Sequence, residues 1–227
     1  MKHIKHVFFD LDHTLWDFDR NSRLTFIYIF EKRQISLDID KFLEGYEVIN
    51  FKFWKLYRED KINKDYLRFN RLKEALDLIN FNASDDLIHQ LAEDYITYLT
   101  NYNFLFDGTL EVLDYLKPKY QLHIITNGFT EVQSLKMNKS GLNNYFSTIT
   151  DAEMVGVKKP NPEIFNYALN KAQASTTNSI MIGDSFEADI LGALDLGLDA
   201  IFFNPKRKEF KHTVKAVHHL SLIKTYL

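Results

Sequence analysis

Asp10 and Asp12 lie in the segment Val7-Phe8-Phe9-Asp10-Leu11-Asp12-His13-Thr14-Leu15, two carboxylates one residue apart with a hydroxyl two positions further on. The three apolar residues before Asp10 read as a strand covered on both faces. In open α/β sheets the functional side chains gather where such strands end. Two anions this close raise each other's pKa unless a cation or strong donors compensate them, so the pair predicts something positive beside it. Taken alone, a D-x-D-x-T string is equally an Asp-rich turn.

Two later stretches have the same texture. Leu122-His123-Ile124-Ile125 is an apolar run that ends in Thr126-Asn127-Gly128, and Ser179-Ile180-Met181-Ile182 ends in Gly183-Asp184-Ser185 with Asp189 five residues beyond Asp184. Between them stands Lys159-Pro160-Asn161-Pro162, a loop that opens a helix with Asn161 as N-cap and Pro162 at the first helical position. Strand ends thus supply Asp10, Thr126 and Asp184.

The elements that must position these residues follow from periodicity. From about Asp17 to Tyr102 apolar residues recur every three or four positions, which predicts a small domain of four helices. Asp19 and Asn21 are candidate caps for the first, carrying Leu24, Ile27 and Phe30. Phe42, Tyr46, Ile49, Phe53 and Leu56 mark the second, and Leu72, Leu76 and Ile79 the third. Ser84 caps the fourth, with Leu87, Leu91, Tyr95 and Leu99 on one face.

From Phe106 onward short apolar runs alternate with helical patterns. A helix from Thr109 ends before Pro118. Thr130 and Gln133 fit a capping box for the helix after Thr126, which Gly141 closes. Short strands are expected at Ser147–Thr150, Ala200–Phe203 and Ala216–Leu220. The alternation predicts right-handed crossovers and a doubly wound parallel sheet of α/β class. Residues 1–16 and 103–227 then form the core, and 17–102 an inserted helical domain. That insertion, directly after the first strand, is expected to hang over the same strand edge as a lid, with the site between the two.

A chain of 227 residues, 45% hydrophobic, can bury one good core and a second small one. Its net charge of −3, from 28 basic and 31 acidic residues, gives no global attraction to nucleic-acid polymers or anionic membranes. The absence of cysteine excludes disulfides, thiolate metal sites and a cysteine nucleophile. No segment reaches the roughly 18 apolar residues of a membrane helix, and no apolar signal region precedes the first strand. A soluble cytoplasmic protein, monomeric or weakly dimeric, is expected.

In combination these signals are specific. A D-x-D-x-T strand end, a strand ending in Thr-Asn, a Lys-Pro loop and a G-D-x-x-x-x-D strand end, in that order, resemble the haloacid dehalogenase-like superfamily of phosphohydrolases with a helical cap after the first motif. The resemblance covers essentially the whole chain. Ile125–Thr130, Val155–Asn161 and Ser185–Gly192 are similar to the pyrimidine-type 5′-nucleotidases of that superfamily.

The resemblance implies a Rossmann-like core and a Mg²⁺-dependent phosphomonoesterase. It casts Asp10 as the nucleophile that forms an aspartyl-phosphate and Asp12 as the acid/base that protonates the leaving alkoxide and then activates water, its anionic neighbours raising its pKa. Thr126 and the backbone amides after it, through Gly128, would hold the phosphoryl oxygens, and Asn127 would help position them. Lys159 would bridge Asp10 and the phosphate, with Lys158 solvated. Mg²⁺ would be held by Asp10, the backbone carbonyl of Asp12 and Asp184, with Asp189 either a direct ligand or a support for the others.

Position 13, often Gly in the superfamily, is His here. It faces the cap hinge in this reading. Most cap aromatics, Phe51, Phe53, Trp54 and Tyr57 among them, are expected in the cap's own core. The implied substrate is a small phosphate monoester, a nucleoside 5′-monophosphate in the first place. A small sugar phosphate or phosphoglycolate, a phosphomutase reaction and a non-catalytic phosphate-binding role are the alternatives.

Overall fold

The strands that lead to the candidate residues are buried, one of them after an exposed first residue, Gln121, and together they build one sheet. The computed structural model describes residues 3–210 and 213–227. In chain order, β1 (His6–Phe9) is followed by α1 (Phe18–Lys32), α2 (Ile39–Arg58), α3 (Lys64–Leu78) and α4 (Asp85–Tyr98). Then come α5 (Thr109–Leu116), β2 (Gln121–Thr126), α6 (Thr130–Lys139), β3 (Thr148–Asp151), α7 (Ala152–Val155), α8 (Pro162–Ala172) and β4 (Ser179–Gly183). A π-helical turn (Phe186–Leu191), α9 (Gly192–Asp195), β5 (Asp199–Phe203) and β6 (Lys215–Val217) complete the core elements.

The sheet order is β3-β2-β1-β4-β5-β6, and every pairing is parallel. This is the doubly wound α/β fold expected from the alternation of elements. The order reverses at β1, which has β2 on one side and β4 on the other. In such sheets the crevice beyond the strands' carboxyl ends at the reversal is where ligands bind. Phe9 is in register with Ile124 and Ile182, and the next residue, Asp10, donates its N–H to Ile182 O at 2.9 Å. The register therefore sets Asp10 between the ends of β2 and β4.

One core cluster joins Phe8, Ile125 and Met181 of the central strands to Ile164, Phe165 and Ala168 of α8 and to Ile190 and Ala193 beyond β4. Asn161 caps α8 by accepting from Glu163 N, and Pro162 occupies its first turn. The segments that leave and re-enter the core run beside each other, Asp17 N donating to Phe104 O and Phe106 N to Leu15 O.

Residues Asp19–Tyr102 form a compact unit separate from the first, which comprises Met1–Phe18 and Asn103–Leu227. Its core is aromatic. Phe26 packs against Phe42, Tyr46 and Tyr95 with ring centroids 4.7–4.9 Å apart. Phe53 and Tyr57 are buried, whereas Phe51 is exposed. Ser84 caps α4 as expected. Asp19 and Asn21 do not cap α1, because that helix already begins at Phe18: Asp19 lies in its first turn, and Asn21 is fully buried within it.

A buried histidine pair joins β1 to β2. His6 Nδ1 lies 3.2 Å from His123 Nε2, and His123 Nδ1 meets Thr148 Oγ1 at 2.9 Å. Burial, then the neighbouring His6, pushes the His123 imidazole down to about 4. The folded protein thus keeps His123 neutral where the unfolded chain would take up a proton. Stability from this site is complete above the unfolded value near 6.5 and is lost as pH falls toward 4. Denaturant unfolding at stepped pH should show a decline across that window that His123→Leu flattens by about 1–3 kcal/mol.

Candidate active site

Lys159 is almost completely enclosed at the strand ends. Only 1% exposed, its Nζ donates to Asp10 Oδ1 and to Ile125 O, each at 2.6 Å, and lies 2.7 Å from Asp189 Oδ1. Burial works against its charge, but Asp10 and Asp189 outweigh that and raise its pKa. Its backbone is clamped by Asn127, whose Oδ1 accepts from Lys159 N at 2.7 Å and whose Nδ2 donates to Lys159 O at 2.9 Å. Both polar groups of the Asn127 amide are thereby engaged, so this residue orients Lys159 and the loop that carries it.

Asp184 directly follows β4, and the buried Thr14 hydroxyl lies between it and Asp10, 3.4 Å from Asp10 Oδ2 and 3.3 Å from Asp184 Oδ1. Asp189 reaches back from the π-helical turn, its Oδ2 accepting from Ser185 N at 3.0 Å. Glycine at 183 makes this possible, since a Cβ there would lie 2.2 Å from Asp189 Oδ2. Burial first, and then the neighbouring carboxylates, push Asp10 up to about 7 against the opposing pull of Lys159. The same causes hold Asp184 well above the usual carboxylate range.

Asp12 has a separate environment. Lys136 Nζ is 2.5 Å from its Oδ1, and Gln133 Nε2 donates to its Oδ2 at 3.0 Å. The neighbour that decides its surroundings is thus a buried ammonium, where anions were expected. Gln133 Nε2 also donates to Thr126 Oγ1 at 2.6 Å, and Gly128 N donates to the same oxygen at 3.1 Å. With two bonds accepted, the Thr126 hydroxyl has its proton left to donate.

The structure brings Asp10, Asp12, Thr126, Asn127, Gly128, Lys159, Asp184 and Asp189 to one strand edge. Sequence reasoning missed Gln133 and Lys136. Thr130 and Gln133 do not form a capping box. Phe129 is the N-cap and makes no side-chain cap bond, while Thr130 N donates to Glu153 Oε2 and Thr130 Oγ1 to Asp151 Oδ1. With that helix end served by Glu153, Gln133 turns to Asp12 and Thr126. The available signal was the polar spacing 130, 133, 136 on a helix directly after a site strand. His13 has φ +63°, a left-handed conformation that glycine adopts without strain, and its ring lies 4.8 Å from that of Phe18.

The donor set fits a hard divalent cation. Carboxylate oxygens of Asp10, Asp184 and Asp189 lie within 4.8 Å of one another. Lys159 is paired with two of these acids, Asp10 and Asp189. Asp189 Oδ1 is buried without an aligned hydrogen bond. A surplus of carboxyl groups over ammonium groups at a strand end, with only oxygen donors, suits Mg²⁺ or a similar ion.

The profile of the haloacid dehalogenase-like hydrolase family matches residues 4–197. The chain belongs to that family. Its relatives include the pyrimidine 5′-nucleotidase PynA of Streptococcus pneumoniae, 33% identical over 92% of this chain and 87% of that protein. The glyceraldehyde 3-phosphate phosphatase of Methanothermobacter thermautotrophicus is 32% identical over 91% of this chain and 88% of its own. Among solved structures, the magnesium-bound HAD-hydrolase YfnB of Bacillus subtilis superposes with a TM-score of 0.88 at 29% identity, covering 99% of this chain and 98% of that one. The protein is an enzyme, a haloacid dehalogenase-like phosphatase, and among its described residues no helix is long and apolar enough to cross a membrane.

The raised pKa of Asp184 means that folding holds this carboxylate against its preference, so the metal-free protein loses stability from it as pH rises above the ordinary carboxylate value. Asp184→Asn removes that repulsion and can still accept from Thr14. In EDTA at pH 8 the variant should be more stable than wild type by about 1–3 kcal/mol, the scale of an uncompensated buried polar group. Divalent cation should stabilise wild type more than the variant, as thermal melts will show.

Proposed function

We propose that this phosphatase is a Mg²⁺-dependent phosphomonoesterase that works through an aspartyl-phosphate on Asp10 and acts on nucleoside 5′-monophosphates. The observation that carries the reading is the excess of buried carboxylate around Asp10, three acids against the single ammonium of Lys159. An arrangement with that deficit of positive charge needs a cation, and an anionic nucleophile needs one to meet an anionic phosphate.

In this mechanism an Asp10 oxygen attacks phosphorus and the bond to the leaving alcohol breaks, with Asp12 passing a proton to the departing oxygen. Asp12, now a carboxylate, takes a proton from water. That water attacks the phosphorus of the aspartyl-phosphate, releasing inorganic phosphate and restoring Asp10. Lys159 keeps Asp10 aimed and presents a fixed charge next to the transferring group. The Thr126 hydroxyl, with both acceptor positions occupied, donates to a phosphoryl oxygen. Magnesium held by Asp10 and Asp184 neutralises the phosphoryl charge when bound. Asp189 supports it by anchoring Lys159 and Ser185 N.

The choice of a nucleotide rests on the similarity of Ile125–Thr130, Val155–Asn161 and Ser185–Gly192 to pyrimidine-type nucleotidases and on the relative PynA. A small sugar phosphate is the second reading, favoured by the relative that acts on glyceraldehyde 3-phosphate at almost the same identity. The strand-end residues grip phosphate and metal and do not distinguish alcohols.

Two measurements test the proposal. Asp10→Asn changes almost no volume and should retain less than about 1% of wild-type turnover while melting as a folded protein, since the covalent route is worth at least several kcal/mol of barrier. Wild-type kcat/KM should be highest for thymidine, uridine or deoxyuridine monophosphate. A lead of more than about tenfold by phosphoglycolate or a sugar phosphate, some 1.4 kcal/mol, replaces the nucleotidase reading and leaves the phosphatase intact.

A further inference from the structure

We infer that Lys136, together with Gln133, positions Asp12 for proton transfer to the leaving alcohol. The inference rests on the proposed role of Asp12 as acid/base and adds two residues to it. Both come from α6, three positions apart, so they project from one face of the helix. Lys136 takes one Asp12 oxygen at 2.5 Å and Gln133 the other at 3.0 Å, which fixes the plane and direction of the carboxylate.

Lys136 is not an ordinary surface lysine that happens to meet an acid. Its side chain is 3% exposed, and its ammonium lies 4.3 Å from the centre of the Trp16 ring and 5.4 Å from that of Phe18. Aromatic faces stabilise a cation without offering it a counter-charge. The carboxylate it is paired with is Asp12. A buried, rigidly packed donor aims its partner more tightly than a solvated one, and placement errors of about 1 Å cost proton transfer and attack heavily.

Gln133 ties the same acid to the phosphate grip. Its Nε2 bridges Asp12 Oδ2 and Thr126 Oγ1, so the group that gives up the proton and the hydroxyl that holds the phosphoryl share one anchor. Glycine at 128 leaves room for this bridge, because a Cβ there would lie 2.3 Å from Gln133 Nε2 and 2.5 Å from its Cδ. The alternative role for Lys136 is charge balance alone. It predicts damage that does not depend on the leaving group.

The test exploits that difference. An alkoxide leaving group needs a proton as the ester bond breaks, whereas a nitrophenolate departs without one. Lys136→Met should lower kcat for the alkyl phosphate best accepted by wild type about 10²-fold, within the usual worth of general acid catalysis. Its kcat for 4-nitrophenyl phosphate should fall less than about tenfold, with KM for both nearly unchanged. Lys136→Arg, which restores charge and donors, should recover at least about tenfold of the alkyl-ester activity.

If Lys136→Met does not fold, Gln133→Ala carries the test, and its ratio of alkyl to aryl turnover should fall by about fivefold. Equal loss on both esters, or no loss, overturns the inference while wild-type turnover leaves the phosphatase reading in place. No wild-type turnover of either ester overturns both.

Discussion

The Lys159 ammonium sits 2.6 Å from Asp10 and 2.7 Å from Asp189 at a buried strand edge, and Asp184 adds a third carboxylate with no second ammonium among these groups. Lys159 offsets part of this charge and is itself firmly held. Asn127 grips its backbone on both sides, and Ile125 O accepts a further hydrogen bond from the ammonium. Burying a charged pair gains little stability by itself and costs much when one partner is lost. The arrangement is therefore one in which folding energy is given up to hold a cluster of acids in place.

The sheet determines where this charge collects. At the reversal of strand order the central β1 ends between β2 and β4, so residues distant in sequence converge without any loop having to reach far. Close approach then depends on two glycines. At 183 the missing Cβ admits Asp189, and at 128 it admits Gln133. Substituting either would displace a side chain that holds another site residue, so their effect on chemistry runs through backbone clearance.

Asp10 and Asp12, only two positions apart, are given unlike surroundings. The first shares Lys159 with other acids and is pushed up to about 7 chiefly by burial. The second has Lys136 on one oxygen and Gln133 on the other. Unlike environments for neighbouring carboxylates are how a site assigns them different tasks. Here the separation is made by cations on two elements, the loop before α8 and the face of α6.

The class of fold was legible in the sequence, because alternating apolar runs and helical stripes allow few arrangements, and so were the candidate site residues Asp10, Thr126, Lys159 and Asp184, because each stands at an element boundary where local pattern is informative. Ser84 and Asn161 were legible as caps for the same reason: a cap is a local hydrogen bond. Lys136 and Gln133 were not legible, since a polar residue in a helix looks solvated until the packing partner of that face is known. The capping box at Thr130 and Gln133 failed likewise, the side chains finding acids on other elements. Which cation serves which acid, and which glycine makes room for it, was decided only by tertiary structure, because those contacts join residues up to 149 positions apart, and no local periodicity records a pairing across that distance.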